Sequence, residues 1–483
     1  MKFIIKLFPE ITIKSKPVRK QFVRQLRSNI RKILKRIDET VVVIGQWDKI
    51  EVELHEATDE RGEEIAAALQ KIPGIANILL VTEHSFNDFG DIFEKTKSVY
   101  APMIAGKTFV VRVKRAGKHD FKSIDVERYV GGGLLKHTDG VSVDLHNPEV
   151  VVKLEIRDET LYIIEKRYEG LGGFPIGSLD TVLSLISGGF DSTVSSYLMM
   201  KRGLRTHFCF FNLGGAAHEI GVKQVSLYLW EQYGSSHKVK FITIPFEDVV
   251  AEIIKSVHHS QMGVVLKRMM LRASSQVAEA MNVQALVTGE CVAQVSSQTL
   301  TNLSVIDKVT DTLVLRPLIT MDKMDIIRLS AQIGTEDFAK TMPEYCGVIS
   351  DRPTTCAKMH KIQREEDRFD FDVLDKAVAD RVAVTIDEVM DSVVTVEDVE
   401  LVSTPSIDDV IIDIRHPNEA ERRPLHLTNN EIVHIPFFEL MSKASEIDLS
   451  KRYLLYCEKG TMSQLHASHL KGEGFDNVLV YKV

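Results

Sequence analysis

The sequence predicts a multidomain α/β protein: small α+β units first, then a parallel-sheet domain, then a second, smaller α/β unit. Three observations carry this. The chain has 483 residues, 44% of them hydrophobic, about three domains' worth at roughly 150 residues each. From Val182 to Thr288 strand-like runs alternate with helical ones, the pattern of a parallel sheet covered on both faces. Glycine- and proline-rich breaks fall at Tyr168 to Gly177 and at Thr404-Pro405. No apolar run approaches the roughly 18 residues a membrane span needs. The start, Met1-Lys2-Phe3-Ile4-Ile5-Lys6, meets lysine too early for a signal peptide, so the expected location is the cytoplasm, with no membrane partner.

The net charge of −8 hides an uneven distribution. Residues 1–36 hold twelve Lys or Arg against the single acid Glu10, whereas residues 361–413 hold sixteen acids against five bases. After a first strand, Lys2–Leu7, the spacing over Val18–Ile37 predicts an amphipathic helix with Phe22, Leu26, Ile30, Ile33, Leu34 and Ile37 on one face. Lys20, Arg24, Arg27, Arg31 and Lys35 line another. Val41–Ile44 and the alternating Trp47–Leu54 read as strands, and Gly62–Gln70 as a helix ending near Pro73-Gly74, so the front of the chain predicts a small α+β unit.

Phe109–Arg115 is a strand running into a second basic cluster with Lys118, His119 and Lys122. Gly131-Gly132-Gly133, the turn Asn147-Pro148 and the strands Val150–Ile156 and Thr160–Glu165 follow. The basic strand, the three glycines and "VDLHNPEVVVKLEI" resemble a THUMP domain, an RNA-binding module. The resemblance implies tRNA as partner, since clustered Lys and Arg displace counterions from phosphates. Aromatics for base stacking are sparse here, which favours recognition by RNA shape.

Beyond the break at 168–177, Val182–Ile186 leads into Ser187-Gly188-Gly189-Phe190-Asp191-Ser192-Thr193 and a helix through Lys201. Strand, tight loop and helix make a phosphate cradle: glycines let backbone N–H groups approach an anion, hydroxyls add donors, and the helix presents its positive end. The loop lacks the lysine of the Walker A pattern. It resembles instead the SGGxDS signature of the PP-loop ATP pyrophosphatases, which implies cleavage of ATP between its α and β phosphates and adenylation of a substrate oxygen. The following elements are Thr206–Phe211, helix Gly221–Glu231, Lys240–Ile244, helices Glu247–Lys255 and Leu266–Met281, and strand Ala285–Thr288. Ligands of such sheets bind at the carboxyl ends of the strands. Gly289 ends one of these strands at a point where a nucleotide can approach the backbone, and "QVSSQTL" at 294–300 supplies amides and hydroxyls suited to a base or ribose.

In the last segment Val410–Arg415 and Tyr453–Tyr456 read as strands, the second delivering Cys457 to a loop before a helix through Leu470. A cysteine there is reactive by position, because convergent N–H groups and the helix dipole stabilise a thiolate or a persulfide anion. "IIDIRHPNE" with this loop resembles a rhodanese domain. Five cysteines, none in a CxxC pair, fit neither a disulfide framework nor a zinc site. Cys209 lies inside an apolar strand and reads as core. Cys291 follows the Thr288-Gly289-Glu290 turn and reads as either packing or lining. Cys346 lies in a loop, where a reactive thiol is plausible, with Cys356 as its competitor.

Taken together, the THUMP-like region, SGGFDS, the TGE turn, "VSSQTL", "RPLITMDKMDI", "PEYCGV" and the C-terminal cysteine loop resemble the bacterial tRNA 4-thiouridine synthetases over essentially the whole chain. The resemblance implies a ferredoxin-like basic domain at 1–60, a THUMP domain at 61–167, a PP-loop adenylation domain at 168–400 and a rhodanese-like domain at 404–483. It implies ATP contacts from Leu185, Ile186, Lys267, Gly289 and Gln298, with Ser187, Gly188, Gly189, Ser192 and Asp191 in the signature loop and Lys323 near the reacting phosphate. Lys267 and Lys323, taken without that context, are ordinary surface lysines. Mg2+ is expected with the nucleotide, although no metal-ligand set is readable. The resemblance further implies persulfide sulfur on Cys457 from a cysteine desulfurase, a Cys346–Cys457 disulfide during turnover, and sulfur delivery to a sulfur-carrier protein for the thiazole of thiamine. The rival expectations are a PP-loop enzyme adenylating a small molecule and an RNA-binding protein without catalysis.

Overall fold

A computed structural model describes the chain apart from residues 47–48, 56, 214–215, 343–351, 391–398, 416–419, 422, 441–442, 444–447, 449, 459–460, 473 and 483. It forms two compact units, Met1–Leu179 with Lys201–Gly203, and Asp180–Met200 with Leu204–Val483.

The first unit runs β1 (Lys2–Leu7), α1 (Pro9–Thr12), α2 (Lys16–Leu34), β2 (Val42–Gly45), β3 (Lys49–Glu53), α3 (Asp59–Leu69), β4 (Ile75–Ser85), α4 (Phe89–Ile104), β5 (Thr108–Ala116), α5 (Ser123–His137), β6 (Ser142–Val143), β7 (Val150–Arg157) and β8 (Thr160–Gly172). Its strands form one eight-stranded sheet of order β2-β3-β1-β4-β8-β7-β5-β6. The long strand β4 is the seam. It pairs antiparallel with β1 from Ile75 to Val81 and with β8 from Ile75 to Ser85. The apolar face predicted for α2 is buried through Phe22, Leu26, Ile30 and Leu34, with Ile33 and Ile37 packed against the same core. Each such side chain contributes about 1.5–3 kcal/mol. Lys20, Arg24, Arg31 and Lys35 are exposed on the opposite side, as are Arg112, Lys114, Lys118 and Lys122 around β5.

Two features of this unit depart from local propensity. Gly131-Gly132-Gly133 lies inside α5 rather than in a turn, and a Cβ on Gly133 would stand 2.6 Å from the Phe93 ring, so close helix packing overrides the cost of glycine in a helix. The break at 168–177 is strand as far as Gly172, because Tyr168 and Glu169 still pair with β4.

The second unit opens with β9 (Thr181–Leu185), α6 (Phe190–Lys201), β10 (Arg205–Asn212), α7 (Ala216–Leu229), β11 (Lys240–Pro245), α8 (Glu247–Ser256), α9 (Met262–Ala280) and β12 (Ala285–Val287). It continues with α10 (Leu300–Asp307), β13 (Leu313–Leu315), α11 (Lys323–Gln332), α12 (Glu336–Thr341), α13 (Met359–Glu366), α14 (Phe371–Ala379) and β14 (Val382–Thr385). These strands form a sheet of order β13-β12-β9-β10-β11-β14, parallel except that β14 pairs antiparallel with β11 at the edge. The chain steps from β9 to β10 and β11 in one direction, then returns to β12 and β13 on the other side of β9. The crevice beyond the carboxyl ends of β9 and β12 is therefore the topological switch point, where ligands of such sheets bind. Behind it Leu183, Cys209, Ile242 and Leu286 meet Val265 and Met269 of α9 in a buried core. Cys209, fully buried, is packing as expected.

The chain ends in a second parallel sheet built from β15 (Leu401–Val402), β16 (Val410–Asp413), β17 (Glu431–His434), α15 (Phe437–Leu440), β18 (Tyr453–Tyr456), α16 (Thr461–Gly472) and β19 (Val478–Tyr481). Its order is β15-β19-β18-β16-β17. Ile412, Ile414, Leu455 and Cys457 share one buried cluster with Val225 of α7 and Phe338 of α12. The Phe338 and Phe437 rings stand 5.2 Å apart, and Gln224 Nε2 lies 3.1 Å from His466 Nε2. Among the described residues, no helix is long and apolar enough to cross a membrane.

Candidate nucleotide cavity and sulfur-carrying cysteine

A cavity of about 410 Å3 opens at the switch point. Leu185, Ile186, Ser187, Gly189, Asp191, Ser192, Lys267, Gly289, Gln298 and Lys323 all line it, so residues spread over more than a hundred positions come together. Gly188 is not among the lining residues. It turns the loop with φ +83°, a conformation that favours glycine.

The loop is braced from within. The Ser187 N–H donates to Ser192 Oγ at 3.1 Å, the two hydroxyls are 3.1 Å apart, and Ser192 Oγ donates to the Gly189 carbonyl at 3.2 Å. Thr193 Oγ1 bonds the same carbonyl. His218 of α7 stands at the loop's other side, its Nε2 3.0 Å from the Ser187 carbonyl. Burial, opposed by that contact, holds its pKa below the ordinary imidazole value. At the mouth, Lys323 Nζ reaches Asp191 Oδ1 at 2.8 Å and Oδ2 at 3.0 Å.

Gly289 is needed for a reason the sequence does not reveal. A Cβ there would stand 2.6 Å from the Asp191 carbonyl carbon and 2.8 Å from the Ser192 nitrogen. The close neighbour is thus the phosphate loop's own backbone. Gly289→Ala is expected to displace that loop at a cost of about 1–3 kcal/mol, seen as a roughly 5- to 150-fold loss of nucleotide turnover in a protein that still folds. Unchanged steady-state kinetics would show that the loop tolerates the shift.

The cavity wall holds residues to which sequence reading gave no role. Lys267 Nζ pairs with Glu290 Oε1 at 2.7 Å, Arg316 Nε with Glu290 Oε2 at 2.9 Å, and Thr288 Oγ1 donates to Glu290 Oε2 at 3.1 Å. Burial alone would raise the Glu290 carboxyl, but Lys267 and Arg316 outweigh it and hold the pKa below the ordinary carboxylate value. Helical geometry separates the neighbours Lys267 and Arg268: the first faces the cavity, while the second is 1% exposed and forks onto Glu366 at 2.6 and 2.8 Å. Cys291 lies behind the wall, where its Sγ donates to the Leu318 carbonyl at 3.1 Å and its backbone N–H donates to Gln298 Oε1 at 3.4 Å. Burial, with Asp191 nearby, pushes its thiol pKa up.

Cys457 stands at the end of β18, 8% exposed, and its Sγ accepts the Ser463 N–H of α16 at 3.3 Å. A backbone donor from the first turn of a helix therefore addresses the sulfur. Cys356 is exposed. Cys346 lies outside the described residues, although Met342 before it and Pro353 and Thr354 after it line the cavity.

Comparison with known proteins agrees with this layout along the chain. Residues 177–371 match the family model for the thiamine biosynthesis protein (ThiI), 2–78 the ThiI ferredoxin-like domain, 86–164 the THUMP domain and 399–483 the rhodanese-like domain. The chain is 53% identical over 481 residues to the tRNA sulfurtransferase of Marinobacter nauticus, covering 100% of itself and 99% of that relative. It is 55% identical over 485 residues to that of Shewanella pealeana, covering 100% of both. A solved 4-thiouridine synthetase in complex with RNA and bound ATP is 26% identical with a TM-score of 0.69, over 80% of this chain and 99% of its own. With identity above one half along its full length, the chain belongs to the tRNA sulfurtransferase family.

Proposed function

We propose that this chain makes 4-thiouridine at position eight of tRNA, in the cytoplasm, by ATP-dependent transfer of persulfide sulfur. The observation that carries the reading is the pairing of two sites in one compact unit: a braced phosphate loop with Asp191 and Lys323 at its mouth, and Cys457 under a helix N–H. The proposed division of labour is 1–60 and 61–167 for tRNA, 168–400 for adenylation and 404–483 for sulfur.

The cavity suits ATP in two parts. Phe211, Leu213, Val264 and Met270 offer an apolar wall for a base, and Ser187, Ser192 and Lys323 face the phosphates. In the first step the uridine O4 attacks the α-phosphorus and pyrophosphate leaves, with Lys323 moving from Asp191 to the developing charge. Magnesium, where it accompanies the nucleotide, would be held chiefly by phosphate oxygens and would supply charge to the leaving pyrophosphate; among the described residues no cluster of three or more metal-ligating side chains is present. In the second step either the terminal sulfur of the Cys457 persulfide displaces AMP from C4 and the Cys346 thiolate then attacks Cys457 Sγ to free 4-thiouridine, or Cys346 attacks Cys457 Sγ first and the sulfide so released displaces AMP; both routes leave a Cys346–Cys457 disulfide that a dithiol reduces. A cysteine desulfurase loads Cys457, and the thiamine description of the matched family model supports a second delivery, to a sulfur-carrier protein for thiazole synthesis.

The test is whether pyrophosphate release requires tRNA, and whether release of AMP with 4-thiouridine in the recovered nucleosides requires a persulfide source as well. Pyrophosphate release independent of tRNA would refute the reading. The exposed bases of α2 and β5 carry the tRNA assignment. Log affinity for tRNA is expected to fall linearly with log salt, by roughly 0.7–0.9 per neutralised phosphate, and a salt-insensitive affinity would remove these residues from the interface.

A further inference from the structure

The Asp191 carboxylate is held by two groups from distant parts of the chain. Lys323 reaches both oxygens, and Gln294 Nε2 donates to Oδ2 at 2.7 Å. The proposed mechanism gives the second group no task, yet the backbone is strained to deliver it. Ala293, immediately before it, has φ +64°, the left-handed region that alanine rarely adopts. The neighbours over-determine that conformation: Ala293 N–H bonds the Gln298 carbonyl at 3.0 Å, Gln298 N–H bonds the Val295 carbonyl at 2.9 Å, and Val292 N–H bonds the Ile319 carbonyl at 3.1 Å. Strain of this kind, fixed by its surroundings, gathers at functional sites.

An amide is suited to a task that a cation is not. Lys323 neutralises Asp191, and a lysine that leaves for a phosphate takes its charge along. Gln294 carries no charge to lose, so it keeps one donor on the carboxylate throughout. We propose that Gln294 is a positioning residue: it holds Asp191 in place while Lys323 exchanges between that carboxylate and the nucleotide's phosphates. This rests on the reading above, in which Asp191 and Lys323 serve adenylation.

The test uses the full chain with tRNA, ATP and a persulfide source, and follows pyrophosphate release. Gln294→Ala is expected to lower kcat roughly 10- to 100-fold, the range for losing a hydrogen bond to a charged group, while KM for ATP stays within about threefold, as befits an interaction spent on the reacting complex. Gln294→Glu keeps the size but sets a second carboxylate against Asp191. Its deficit is expected to exceed that of Gln294→Ala at alkaline pH and to shrink as pH falls, because a proton shared by the pair relieves the repulsion. A purely structural role gives a deficit that does not change with pH, and that outcome overturns the proposal. Wild-type kcat in Gln294→Ala, beside an inactive Asp191→Ala, overturns it and leaves the adenylation reading standing. A fully active Asp191→Ala removes both.

Discussion

On the proposed mechanism Cys457→Ala is expected to lose tRNA thiolation, and any thiazole-directed sulfur delivery, completely, because it removes the atom proposed to carry the sulfur. Adenylation is expected to survive, since Cys457 lies on the C-terminal sheet and does not line the nucleotide cavity. Cys346→Ala separates loading from resolution: the enzyme should still accept radiolabelled sulfur on Cys457 and fail at thiolation. Wild-type protein without reductant should stall after about one turnover as a Cys346–Cys457 disulfide and resume when a dithiol is added. Peptide mapping of the stalled enzyme decides the assignment. A bridge from Cys457 to the exposed Cys356 would move the resolving role there, and the absence of any bridge would sink the disulfide step.

Asp191→Ala and Lys323→Met are expected to abolish pyrophosphate release while tRNA affinity stays within a few-fold. A pre-organised charge aimed at developing phosphate charge is typically worth about 3–4 kcal/mol, or roughly 10²–10³ in rate. Their contact at 2.8 Å adds a structural expectation. Removing either one takes away the other's charge partner, so the double variant should be little worse than the worse single one. Normal pyrophosphate release by either variant would exclude that residue from the chemistry.

The phosphate loop and the Cys457 loop were legible because each is local: apolar strand, glycine or cysteine, and helix follow one another within a few residues, and chain direction alone fixes where their ends point. That the strands would run parallel, with the crevice at their carboxyl ends, was legible for the same reason, since strand–helix alternation leaves few topologies, whereas the strand order that sets the switch point was not. The wall of the cavity was not. Nothing near Glu290 in sequence reveals that it faces Lys267 and Arg316, which approach from other elements, and His218 reaches the loop carbonyl from a helix whose sequence carries no motif. The three glycines of α5 look like a turn because local propensity cannot register a phenylalanine ring from a neighbouring helix. Ala293 is the extreme case: alanine gives no hint of a left-handed backbone, and hydrogen bonds within the 292–298 loop, with one from Val292 to the distant Ile319 carbonyl, hold it there.

Helix α7 touches both sites. His218 near its start meets the phosphate loop, while Gln224 and Val225, six and seven residues on, meet His466 and the cluster that holds Cys457. At 1.5 Å of rise per residue that separation is about 10 Å along the axis. Sulfur carried on Cys457 would then be presented to the activated uridine at an effective concentration of millimolar or more, set by the length of a helix and independent of how much sulfide or free persulfide the cell contains. On the proposed mechanism, scarcity of sulfur would slow the loading of Cys457 but not the transfer that follows once it is loaded.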